Sequence, residues 1–244
     1  MAVHPSPSVE QTERTEQAPP LQSGDRLSRA EFERRYQMHP DIKKAELIEG
    51  VVYVPSPIHF SKHAAPHAQL VTWLGVYTAA TPGVTTGDNA TVRLDYENEV
   101  QPDALLRLEP AAGGRSSVAD DDYLEGAPEL VIEIAASSAS YDMHDKRRAY
   151  ARNGVAEYLV MLAYEARVIW YVLQEGVYVA QEPDAAGILR SACFPGLWLN
   201  PNALLQGDLA TVLATLQQGI ESEEHAAFRL RLQAASADAA PVSE

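Results

Sequence analysis

Two carboxylates set in apolar company are the residues of this 244-residue chain best placed to do chemistry. Glu133 stands inside Leu130-Val131-Ile132-Glu133-Ile134, a short continuous apolar run that reads as a buried strand. A carboxylate there is costly unless a cation or hydrogen-bond donors meet it. Asp103 poses the same problem at the head of the apolar run Ala104-Leu105-Leu106. Lys146 lies on the helical pattern that follows the Glu133 run, at residues 141–150. Two acids on neighbouring buried strands, with a lysine on the next helix, suggest a site for a hard divalent cation bound through oxygen. Plainer roles stand beside these. Asp103 could cap a turn or pair with an arginine, and Lys146 could form a surface ion pair with Asp142 at i−4.

Other chemistry-bearing residues carry less. His59, His63 and His67 recur every four residues, as on a helix-borne zinc site, but Pro66 interrupts them and no glutamate sits beside them as in zinc proteases. A solvated or helix-leading face is the simpler expectation. Asp120, Asp121 and Asp122 lack the spacing of a calcium loop and read as solvated. Trp73, Trp170 and Trp198 read as core anchors, and the lone Cys193, beside Phe194, as a packed small residue.

The elements that must position these groups follow from pattern and punctuation. Ser28 and Glu31 form a capping box for a short helix through Tyr36. Residues 45–54, broken at Gly50, read as a hairpin or bulged strand pair closed by Pro55-Ser56-Pro57. Leu70, Val71, Leu74 and Tyr77 mark one face of a helix over 61–79. Strands are expected over 91–94 and 103–108, joined by a charged turn, and 110–127 as a mobile loop. After Asn153-Gly154, strands follow over 157–162 and 167–173 with another from Gly176, then a helix over 202–216 and a last helix over 222–232. Helices interleaved with strands imply an α/β or α+β class built on one mixed central sheet. The chain divides into a disordered tail (1–24), a body (25–220) and a C-terminal helix with disordered tail (221–244).

Composition limits the function. No apolar run approaches a membrane span, and the polar N-terminus lacks the apolar core of a signal peptide. One cysteine suits a reducing compartment, so a cytoplasmic location is expected. The net charge of −15 disfavours tight nucleic-acid binding, which draws on a basic footprint, although a local patch or bound cation can offset it.

Several motifs occur in order: Glu46-Leu47-Ile48-Glu49-Gly50, Gln101-Pro102-Asp103, Pro128-Glu129 running into the Glu133 strand, Asp142 with Lys146 and Tyr150, Gly154-Val155-Ala156-Glu157-Tyr158, and Phe194-Pro195-Gly196-Leu197. Together, over about 28–205, they resemble the Uma-type family of restriction endonucleases, a bacterial branch of the PD-(D/E)XK nuclease superfamily. The resemblance implies a nuclease-like mixed sheet flanked by helices and metal-dependent hydrolysis of DNA phosphodiesters. Asp103 matches the acid of the Pro-Asp motif, and Glu133 the acid of (D/E)XK. Where the superfamily pattern places its lysine this chain has Ala135, and Lys146 takes the position that the Uma-type pattern gives to a lysine on the next helix. Glu46 matches a third acid near the metal. Asp103, Glu133 and the Ile134 carbonyl would then hold Mg²⁺ or Mn²⁺, with Lys146 as electrostatic catalyst and Glu46 in support. A catalytically impaired binding or regulatory module, and a metal hydrolase of a small phosphorylated substrate, are the alternatives. Restriction-type cutting by paired sites makes a homodimer an expectation by analogy.

Overall fold

The run around Glu133 forms a strand at the heart of a six-stranded sheet in the computed structural model, which describes residues 18–55, 59–136 and 142–239. The Pro55-Ser56-Pro57 stop falls partly outside the described residues, as do most of the expected N-terminal tail, the last five residues and the side chain of Asp142. In chain order the strands that frame the site are β1 (Glu46–Ile48), β2 (Val51–Tyr53), β3 (Val84–Asp88), β4 (Val92–Asp95), β5 (Asn98–Val100) and β6 (Ala104–Leu108). They continue with β7 (Ser117–Val118), β8 (Leu124–Glu125), β9 (Leu130–Ala135), β10 (Glu157–Leu162), β11 (Arg167–Gln174) and β12 (Val177–Ala180). The helices are α1 (Arg29–Met38), α2 (Ala65–Ala80), α3 (Arg147–Arg152), α4 (Pro201–Gln206), α5 (Leu209–Ile220) and α6 (Glu223–Ala239).

The α/β or α+β class expected from the pattern holds, with most strands shared between two six-stranded mixed sheets rather than gathered in one. The larger core belongs to the sheet ordered β12-β11-β10-β9-β6-β3. Its central strands β9 and β10 run parallel, and the return between them passes through α3, as a parallel pair requires. Both faces of β9 are covered, which is why its sequence is continuously apolar instead of alternating. Ile132 and Ile134 face a cluster with Leu70, Trp73 and Trp170, while Val131 and Ala135 face Tyr150, Tyr158 and Val160. Trp73 and Trp170 meet edge to face at 6.0 Å, and the Trp73 indole N–H donates to the Trp198 carbonyl at 3.0 Å.

The second sheet, β2-β1-β5-β4-β8-β7, holds the differences from the sequence reading. The charged turn at 95–99 is the tip of a hairpin, and β5 pairs with both β4 and β1. Within 110–127 the short strands β7 and β8 add to this sheet, and Asp121, solvent-exposed as expected, also accepts two hydrogen bonds from Arg93. Strand β3 went unread because its sequence, Val-Thr-Thr-Gly-Asp, carries little apolar alternation; it is an edge strand on β6. Gly207, at φ 75°, and the Asp208 cap split the helix expected over 202–216 into α4 and α5. The last helix continues to Ala239, and Ala18 and Leu21 are already buried ahead of the Gly24 boundary. A π-helical turn, Phe60–Ala64, leads into α2, since Pro66 has no amide hydrogen to give the i−4 carbonyl.

Candidate active site

Antiparallel pairing of β6 with β9 sets Ala104 against Ile132 and Leu105 against Val131, and that register, continued one residue beyond the end of β6, sets Asp103 opposite Glu133. Cross-strand partners share a face, and the two acids of the sequence motif are therefore neighbours on one side of the sheet. Both are buried.

Glu133 is met by donors from the segment that follows it. The Lys146 ammonium lies 2.9 Å from Glu133 Oε1, and the Tyr150 hydroxyl donates to the same oxygen at 2.7 Å. Lys146 ends a second π-helical turn, Asp142–Lys146, and Tyr150 stands one turn on in α3, so both side chains descend on the strand from one side. Glu46 arrives from the other sheet. Its Oε1 is 2.9 Å from the Lys146 ammonium and accepts the Gln101 amide N–H at 2.7 Å. Lys146 thus bridges Glu46 and Glu133 with all three side chains buried, and the surface ion pair considered for it does not describe its position. Ala135, at the usual lysine position, packs in the apolar cluster around Tyr158, and the cation reaches Glu133 from the helix side instead.

Asp103 has a different set of partners. Its Oδ2 accepts the Ile134 amide N–H at 2.7 Å, the His63 Nε2 lies 3.2 Å away, and the Lys44 ammonium is 3.7 Å from Oδ1. Burial pushes its pKa up, but His63, Lys44 and the Ile134 amide outweigh it and hold the carboxyl at about 2. No arginine takes part in these contacts. His67 Nε2 contacts the Asp103 carbonyl at 2.8 Å and Asp88 Oδ1 at 3.0 Å, so of the solvated or helix-leading face expected, His63 and His67 take the helix-leading place, as an inward, half-buried pair.

The fold brings Glu46, Glu133 and Lys146 into contact and ties Asp103 to β9 through the Ile134 backbone. Among the described residues, no three histidine, cysteine or carboxylate side chains converge as a metal cage. Four partners escaped the sequence reading: His63, Lys44, Tyr150 and the Gln101 amide. Tyr150 had a signal, since it follows Lys146 by four positions on one helical face. His63 stood out among the regularly spaced histidines, but nothing local tied it to Asp103; Lys44 had no signal, because it reaches Asp103 from a distant segment. Cys193 is packed, with burial raising its thiol to about 12.

A sequence profile of the Uma2 family, described as "Putative restriction endonuclease", matches residues 29–202. Among solved structures the chain is similar to one titled a "putative nuclease belonging to DUF820" from Anabaena variabilis ATCC 29413. The two share 16% identity with a TM-score of 0.50, and the match covers 66% of this chain and 90% of the other. At that identity the likeness shows the fold. No curated protein matches the chain.

Proposed function

The chain belongs to the Uma2 family, and from that membership we propose that it is an endonuclease that hydrolyses DNA phosphodiester bonds with a bound Mg²⁺ or Mn²⁺. The observation that carries the reading is the buried Glu133, set opposite Asp103 and met by the Lys146 ammonium at 2.9 Å.

The donor set fits such an ion. Mg²⁺ takes hard oxygen ligands and is commonly held by one or two carboxylates, so it does not need the cage that the described residues lack. Asp103, an anion down to about pH 2, would hold it together with Glu133 and the Ile134 carbonyl. When bound, the ion would neutralise charge on the phosphate and acidify a water. The chain's own residues do the rest. Lys146, fixed by Glu46, presents positive charge beside Glu133 for the developing charge at phosphorus. Glu46 is itself fixed by the Gln101 amide, and the Tyr150 hydroxyl orients the Glu133 carboxylate. His63 and Lys44 keep Asp103 ionised and turned toward β9.

A second reading, a nuclease-like fold retained as a binding module, draws on Ala135 and on the engagement of Lys146 by both glutamates. Incubation of supercoiled plasmid with the purified chain and Mg²⁺ or Mn²⁺ separates the two. Cleavage that disappears with a chelator and in Asp103→Asn and Glu133→Gln supports the nuclease. Folded, DNA-binding protein without cleavage supports the module.

A further inference from the structure

The two parallel strands of the site end at a rim that carries exposed rings. Ala135 pairs with Leu162, the Ala163 amide donates to the Ala135 carbonyl at 3.0 Å, and the next residue, Tyr164, stands in the β10–β11 turn with 63% of its surface in water. In open α/β sheets ligands bind outside the carboxyl ends of the parallel strands, and this rim is the corresponding end of the parallel pair β9–β10. Lys62, from the π-helical turn, spans this rim. Its ammonium donates to the Ala163 carbonyl at 3.3 Å and lies 5.5 Å from the centre of the Tyr164 ring. The residue after it, His63, holds Asp103, and the residue that opens the same turn, Phe60, is 80% exposed. A continuous path of contacts thus runs from Tyr164 through Lys62 and His63 to the candidate catalytic acid.

Single exposed apolar residues are ordinary on a protein surface. What distinguishes Tyr164 and Phe60 is their place beside a site read as acting on phosphodiesters, with a lysine held against the Tyr164 ring. We infer that this rim is a stacking platform for unpaired bases, so that the substrate class of the site is single-stranded or locally unpaired nucleic acid rather than intact duplex. The inference rests on the phosphodiesterase reading above. In a duplex the base faces are covered by their neighbours, whereas in a single strand they are free to stack on aromatic side chains. Charge points the same way. A chain of net charge −15 repels the dense phosphate lattice of duplex DNA, while stacking gains affinity from base faces without many phosphate contacts. Lys62 at the rim and Lys44 beside Asp103 supply two cations for the phosphates of a bound strand.

The test is fluorescence anisotropy in metal-free buffer, with a short labelled oligodeoxynucleotide presented single-stranded and as its duplex. The single strand is expected to bind more tightly, with a log–log salt slope of about −1.4, as two lysine–phosphate contacts give. Tyr164→Ala and Phe60→Ala should each weaken single-strand binding about tenfold, while Tyr164→Phe, which keeps the ring, should retain it. Both positions are exposed, so unchanged thermal melting would show that the variants are folded. Equal binding of duplex and single strand, single-strand binding untouched by Tyr164→Ala, or no binding of either form would overturn the inference. Hydrolysis of a small chromogenic phosphodiester, compared between the native chain and Glu133→Gln, tests the catalytic reading separately. Hydrolysis lost in Glu133→Gln alongside Tyr164-independent binding rejects the platform and keeps the nuclease; Tyr164-dependent binding without hydrolysis does the reverse.

Discussion

Burying Lys146 between Glu46 and Glu133 takes three charges out of water, and the arrangement holds because every charge has a partner within 2.9 Å. Tyr150 and the Gln101 amide supply further donors for the carboxylates. Removal of one member of such a group strands the others. Lys146→Met is therefore expected to destabilise the fold by about 3–5 kcal/mol, read from urea unfolding, apart from any loss of catalysis. A change under 1 kcal/mol would show that water reaches the two glutamates. Glu99 presents the opposite case. Burial, then the neighbouring Glu33 carboxyl, pushes its pKa up from 4.5 to about 8, against the pull of Arg93 and Arg29. The folded state keeps a proton that the unfolded chain releases, so this group's contribution to stability falls as pH rises from about 4.5 to about 8 and is level above that. Glu99→Gln removes the titration, and the variant should gain on the native chain across that window. Parallel unfolding curves from pH 5 to 8 would refute it.

Among the elements, the corner at Phe194–Leu197 locks α5 to α2. The Tyr77 hydroxyl donates to the Pro195 carbonyl at 2.9 Å, and Gly219 of α5 comes so close to Gly196 that an added Cβ would lie 2.2 Å from the Gly196 carbonyl oxygen. Backbone atoms cannot yield as a flexible side chain does. Gly219→Ala should cost about 1–3 kcal/mol or more by overpacking. Gly75, within α2, has open space where a Cβ would go, so Gly75→Ala should gain about 1 kcal/mol from helix propensity. Thermal melting of the pair checks both signs. The corner matters to the site because α2 carries His67 and follows directly on the turn that carries His63.

For the whole molecule, charge and site count govern how it would meet DNA. Among the described residues each chain presents one candidate centre, so on the proposed nuclease reading a lone copy is expected to nick supercoiled plasmid one strand at a time, at locally unpaired stretches. Relaxed circular plasmid should accumulate before linear DNA appears, and linear product formed at once would point to the paired action of a homodimer. Among the described residues no helix is long and apolar enough to cross a membrane.

The sequence by itself pointed to β9 as a buried strand, because a short run rich in β-favouring residues, without regular polar alternation, suits a strand covered on both faces. It also made Glu133 and Asp103 conspicuous, since a carboxylate in such a place demands a partner. The order of motifs carried the family and the mixed α+β class. Only the tertiary structure decided which partners those acids receive. Lys146 alternates on its own helix as a surface residue could, and nothing local shows that Glu46 and Glu133 enclose it from two different sheets. The histidines likewise look solvated in a polar, proline-interrupted stretch until the packing of α2 on β6 turns them toward Asp103. Local pattern reports whether a residue is inside or outside; strand register and sheet packing, set by contacts between distant segments, choose what it meets there.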